Sequence, residues 1–206
     1  MNKYLLSSLC LLVVNSAHAD DTASSLMLPA ATITAPQIDA ESVDLKTATT
    51  AGSRLHKLVV CNTAAKIGEP AVWNPRIEMV LRDGAVAMAG LRDASIARWF
   101  TPDFAQANPD QAKRITDMLA ATSPQGYAAN CAAVRDADFR DQLGSIEVPT
   151  LVIAGTEDAV TPPAGSHFIQ EQVRGAQYAE FYAAHLSNVQ AGDAFSQRVL
   201  QFLSAV

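Results

Sequence analysis

The sequence predicts an α/β fold, a parallel sheet with a helical cap inserted between its strands. Three observations carry this. Lys57–Cys61 (KLVVC) and Pro149–Gly155 (PTLVIAG) are short β-branched apolar runs, the pattern of strands buried on both faces. The stretch between them has helical spacing punctuated by prolines. Beyond Gly155 the text alternates helix, short strand and helix.

At the N-terminus, Lys3, the apolar run Tyr4–Val14 and the small residues of Ala17-His18-Ala19 have the form of a signal peptide cut before Asp20. Residues 1–19 are therefore expected to direct export, placing the mature chain in the periplasm or beyond, with a cytoplasmic chain bearing an apolar N-terminus as the alternative. The run is too short to persist as a membrane span, and Cys10 leaves with it. Residues 20–52 are rich in Ala, Thr and Ser and read as a disordered lead. The folded domain is expected over 53–206, with its cap over roughly 70–145.

Within that domain, Lys57–Cys61 is the first buried strand, ended by Asn62-Thr63. Asn74–Gly90 places Ile77, Val80, Leu81 and Met88 at helical spacing, with Pro75 near its first turn. Helices are predicted over Asp93–Phe100, Pro109–Ala121 and Pro124–Arg135, each bounded by Pro or Asn/Asp signals. Pro149–Gly155 is the clearest strand. Pro162–Val173 is helical, Gln177–Tyr182 a short strand, and Ala191–Ala205 an amphipathic closing helix with Phe195, Val199, Leu200 and Leu203 on its apolar side.

With 206 residues and 49% apolar composition the chain can bury one real core. A net charge of −6 without any Lys/Arg-rich run argues against a nucleic-acid surface. It leaves open an anionic substrate held by a few local arginines. The three cysteines, Cys10, Cys61 and Cys131, form no CxxC pair and no zinc spacing with histidine, so no metal site is expected. Cys61 and Cys131 read as buried reduced thiols, with a disulfide between them as the alternative.

Two residues carry the candidate chemistry. Asp158 follows the strand Pro149–Gly155 in GTEDAVTPP, and catalytic groups of open α/β sheets gather beyond the carboxyl ends of strands. A carboxylate there can fix a histidine tautomer and stabilise the imidazolium, or else simply cap the turn. His185 lies in FYAAHLSNV, after the short strand and before the last helix, a loop position suited to a general base. An acid followed by a histidine across one strand is the last part of a Ser…Asp…His order. Glu157, His56 and His167 are expected to face solvent.

Five runs carry a more specific likeness. They are RLHKLVVCNTAAKIG (Arg54–Gly68), ARWFTPDFA (Ala97–Ala105), MLAATSPQGYAANCAAVRDADFR (Met118–Arg140), IEVPTLVIAGTEDAVTPP (Ile146–Pro163) and AAHLSNVQAGDAF (Ala183–Phe195). Over 54–206 the chain resembles the 3-oxoadipate enol-lactonases, which are α/β-hydrolases. The resemblance implies a partial α/β-hydrolase fold, comprising the last strands of the parallel sheet and the helical cap. It implies hydrolysis of a small enol-lactone in the β-ketoadipate route of aromatic catabolism, with no cofactor. Asp158 then resembles the triad acid and His185 the triad base. Trp99 lies in cap text facing the family's pocket, and Arg98 and Arg135 are candidates for the substrate carboxylate. Separately, TATTAGSRL (Thr47–Leu55) resembles the lead-in to the plug of TonB-dependent outer-membrane receptors, although no barrel sequence follows.

The family's Gly-x-Ser-x-Gly elbow would fall near Ile38, in APQIDAESVDL, and no two glycines of this chain stand four apart. The nucleophile serine is thus absent, and with it the family's first strands and oxyanion loop. The expected consequences are loss of activity in the isolated chain and a bare sheet edge along Lys57–Cys61. A separate N-terminal hydrolase half is a candidate partner. The competing readings are another carboxylic-ester hydrolase half using the same Asp158–His185 pair, and a non-catalytic exported remnant of a gene fusion.

Overall fold

The computed structural model describes residues 55–205, the strand Cys10–Val14, and the single positions Leu45 and Ala48. Most of the predicted signal peptide and lead, with the cleavage motif and Ile38, lies outside the described residues. The described strands are β1 (Cys10–Val14), β2 (Lys57–Cys61), β3 (Thr150–Gly155) and β4 (Gln177–Phe181). They form one sheet in the order β1-β2-β3-β4. The β2–β3 and β3–β4 pairs are parallel, with Val60 beside Val152 and Val152 beside Tyr178.

The period of two along β2 and β3 sorts their side chains onto two covered faces. Leu58, Val60 and Val152 pack with Leu143, Ile146, Ile169 and Val173. Val59, Cys61, Leu151 and Ile153 pack on the other side with Phe195, Val199 and Phe202. A continuous apolar run, rather than an alternating one, is what such a doubly covered strand requires.

Two findings differ from the sequence expectation. The β2 edge is not bare, because Cys10–Val14 pairs with it antiparallel in the register Leu12 opposite Val59. Unpaired N–H and C=O groups along a buried strand are costly, and an apolar segment of this chain supplies the partners. Folded structure also begins before Ser53. Leu45 and Ala48, within the expected lead, are helical and buried in the cluster around Leu58 and Val60.

Between β2 and β3 run α1 (Pro70–Asp83), α2 (Ala85–Trp99), α3 (Pro102–Ala107), α4 (Pro109–Ala120) and α5 (Pro124–Asp136). They enclose their own apolar cluster, including Trp73, Val80, Met88, Trp99, Phe100, Leu119 and Tyr127. The expected continuous helix over 74–90 is broken at Gly84, whose φ of 56° is left-handed. Its N–H closes α1 on the Val80 carbonyl, and α2 then runs without interruption to Trp99. After β3 come α6 (Pro163–Gln172) and, past β4, α7 (Ser187–Gln190) and α8 (Gly192–Ser204). Among the described residues, no helix is long and apolar enough to cross a membrane.

Candidate active site

The carboxyl ends of β2, β3 and β4 converge because these strands are parallel neighbours. Each contributes one loop. Asn62 ends β2, Asp158 follows β3, and His185 follows β4. The β3 and β4 loops are stitched by backbone hydrogen bonds from Thr156 N–H to the Phe181 carbonyl (2.9 Å) and from Glu157 N–H to the Ala183 carbonyl (3.0 Å). Gly155 makes this approach possible, since any Cβ there would collide with the carbonyl oxygens of Ala183 and Ala184.

Asp158 and His185 are both buried, and His185 Nδ1 lies 2.9 Å from Asp158 Oδ2. The carboxylate is densely served. Oδ1 accepts from the N–H groups of Val160 (2.8 Å) and Thr161 (2.9 Å). Oδ2 also accepts from Thr161 Oγ1 (2.8 Å) and Asn62 Nδ2 (3.0 Å). Burial alone would raise the Asp158 pKa. The hydrogen bond and charge of His185, with the donors of Asn62 and Thr161, outweigh it and hold the carboxyl below its ordinary range. An ionised acceptor at Nδ1 selects the tautomer with its proton on Nδ1, which leaves Nε2 as the basic atom.

The sequence did not single out Asn62, Thr161, Ser187 or Gln190. Asn62 has a left-handed φ of 48° and joins three loops. Its Nδ2 also donates to the Ala184 carbonyl (3.2 Å), and its Oδ1 accepts from the Ser187 hydroxyl. Gln190 Oε1 accepts from Thr101 N–H and Ala184 N–H (3.2 Å each), tying the cap to the histidine loop. Strand-end asparagine and Asp-x-x-Thr turn text were the available signals, and both are common in ordinary turns.

Trp99 is buried in the cap cluster, and its carbonyl accepts from Leu186 N–H (3.1 Å), the residue after His185. Arg98 is partly buried, with Nε on the Ala94 carbonyl (3.2 Å). Arg135 is held by Asp136 through Nε (2.7 Å) and Nη2 (2.8 Å), and by Asn74 through Nη1 (2.9 Å). Glu157 and His56 are exposed, and His167 stacks on Tyr178 at the surface. Cys61 and Cys131 are buried.

Parallel strands covered on both faces, an inserted helical cap, and an acid and a histidine in chain order at successive strand ends define part of the α/β-hydrolase fold. The comparisons agree. The chain is similar to 3-oxoadipate enol-lactonase 2 of Acinetobacter baylyi, 38% identical over 146 residues, which is 71% of this chain and 54% of that protein. It is 36% identical to 3-oxoadipate enol-lactonase 1 of the same organism, over 75% of this chain and 57% of that protein. The crystal structure of the enol-lactonase from Burkholderia xenovorans superimposes with a TM-score of 0.75 at 38% identity, covering 78% of this chain and 61% of that one. The chain thus spans little more than half the length of the curated relatives it matches. No protein-family model matches it.

Proposed function

We propose that this chain carries the acid–base half of a 3-oxoadipate enol-lactonase-type carboxylic-ester hydrolase, acting on a small lactone. The observation that supports this most is the buried pair of Asp158 and His185, 2.9 Å apart at the ends of adjacent parallel strands. In such a hydrolase His185 Nε2 takes the proton from a nucleophile's hydroxyl, and Asp158 stabilises the imidazolium that forms. Trp99, Arg98 and Arg135 of the cap are the proposed substrate contacts, and Trp99 is tied to the histidine loop by its carbonyl on the Leu186 N–H (3.1 Å). On the resemblance, the nucleophile and oxyanion donors are proposed to lie in the portion of the relatives that this chain does not match. The isolated chain is therefore proposed to be inactive, with a separate N-terminal hydrolase half as its partner.

The test is enol-lactone hydrolysis by the purified full chain, alone and with the unmatched N-terminal portion of an enol-lactonase supplied as a second chain. No turnover alone, and turnover with the second chain that His185→Ala abolishes, is the expected result. Turnover by the chain alone that His185→Ala removes overturns the proposed inactivity. Failure to gain turnover in the mixture overturns the half-hydrolase reading.

We also propose that residues 1–19 direct export. Cys10–Val14 is at once the centre of the apolar leader run and an edge strand, so the two uses exclude one another. N-terminal sequencing of protein recovered from the periplasm should begin at Asp20, whereas retention of Met1 rejects processing.

A further inference from the structure

His185 is 1% exposed, and hydrogen bonds anchor the chain on either side of it. At the end of β2, Asn62 donates from Nδ2 to the Ala184 carbonyl (3.2 Å) and accepts from the Ser187 hydroxyl at Oδ1. Two further anchors lead to the cap. Leu186 N–H donates to the Trp99 carbonyl (3.1 Å), and Ala184 N–H donates to Gln190 Oε1 (3.2 Å). The same Gln190 oxygen accepts from Thr101 N–H (3.2 Å), and Gln190 Nε2 donates to Thr101 Oγ1. Two N–H groups facing one atom identify it as the oxygen, so this amide has a single orientation. The backbone N–H groups before and after His185 are thus both tied to Trp99–Thr101, the turn that joins α2 to α3. Apolar packing follows the same division. Leu186 and Val189 pack against the cap cluster that contains Trp99 and Phe100. So does Val160, whose N–H serves Asp158 Oδ1.

Proton transfer depends steeply on where the base stands, and a misplacement of about 1 Å can cost about a hundredfold in rate. A loop pinned to the cap on both sides of its histidine takes its position from that turn. We propose that Gln190 is a positioning residue for His185, and that through Gln190 and the Trp99 carbonyl the turn Trp99–Thr101 sets where the imidazole stands. Asn62 fixes the loop to the sheet, and Gln190 fixes it to the cap. The general base is therefore placed by both layers of the fold. This deepens the hydrolase reading and rests on it for what His185 does; how His185 is held rests on the hydrogen bonds alone.

The experiment is NMR of the full chain, reading the His185 ring signals and the proton on Nδ1, followed by hydrolysis in the two-chain mixture. Gln190→Ala leaves the N–H groups of Thr101 and Ala184 without their acceptor. It should shift the His185 ring signals and speed exchange of the Nδ1 proton by about tenfold or more. In the mixture it should lower kcat by about ten- to a hundredfold while KM stays within about twofold. Gln190→Glu keeps an oxygen for both N–H groups and should restore most of the signals and of kcat. Thr101→Val removes only the hydroxyl that receives Gln190 Nε2, and should give a smaller shift in the same direction. Val199→Ala, in the cluster under α8, lowers the urea midpoint without touching these groups and should leave the His185 signals in place. His185 signals unchanged in Gln190→Ala, or shifted as far in Val199→Ala, overturn the proposal. So does a raised KM with kcat unchanged, which would make Gln190 a binding residue. If Gln190→Ala fails to fold, wild-type His185 signals in Thr101→Val overturn it instead. The NMR readout needs no turnover. A wild-type mixture that does not hydrolyse the lactone counts against the hydrolase reading alone.

Discussion

At the scale of single residues, Asn62 holds the site in place more widely than its turn-like sequence suggests. Its amide reaches Asp158, Ala184 and Ser187, and its left-handed backbone is one that asparagine tolerates. Asn62→Ala strips a donor from a buried carboxylate and leaves two other buried polar groups unmatched. A loss of about 1–3 kcal/mol is expected, seen as a lower urea midpoint at unchanged slope. Asp158 gives a pH prediction. Its folded pKa is depressed below the unfolded value near about 3.9, so its stabilisation is full above that value. It disappears as pH falls through the folded pKa. Urea midpoints measured from neutral to strongly acidic pH should drop on the acid side, and Asp158→Asn should flatten that part of the curve. Asp158 and His185 were legible because each follows a strand end that sequence pattern locates. Asn62 was not, because its partner Ala184 is 122 positions away and only packing joins them.

At the scale of elements, one glycine and one lysine set how the strands and helices meet. Gly155 closes β3 where the Asp158 and His185 loops touch. Gly155→Ala must push apart the backbone of Ala183 and Ala184, and overpacking of this kind costs about 1–3 kcal/mol or more. The effect should fall on the site as well, with the His185 ring signals in NMR shifting further than those of His56. Lys57 opens β2 and directs Nζ to the carbonyls of Phe202 and Leu203 (3.0 Å each) and of Ala205, at the C-terminal end of α8. Those carbonyls have no helical partners, and a cation there also answers the helix dipole. Lys57→Met should cost about 1 kcal/mol and raise amide exchange in the last turn of α8 before it affects β3. Pattern reading located these strands and most of the cap helices. It missed the break at Gly84, because the apolar spacing of α1 continues in phase into α2 while the backbone reverses φ between them.

At the scale of the whole molecule, the sheet edge decides how the chain behaves in solution. Leu58 N–H bonds to Pro149 and Asn62 N–H to Ile153, so the alternate Val59 N–H faces β1 instead. In the intact chain the Val59 amide should exchange slowly. In a chain beginning at Asp20 it should exchange faster while Leu58 stays protected, and the opened edge should promote association on size-exclusion chromatography. Equal Val59 protection in both chains would show that Cys10–Val14 does not cover this edge.

The sequence by itself determined the parallel strands, the buried character of both their faces, the order of acid before histidine, and the absence of a serine elbow. These follow from local periodicity and from residue types at strand ends, which short segments encode. Tertiary structure alone decided the five donors around Asp158, the strand that covers β2, and the early start of the core at Leu45 and Ala48. Each of these depends on segments distant in the chain meeting in space, and residue spacing does not carry that information.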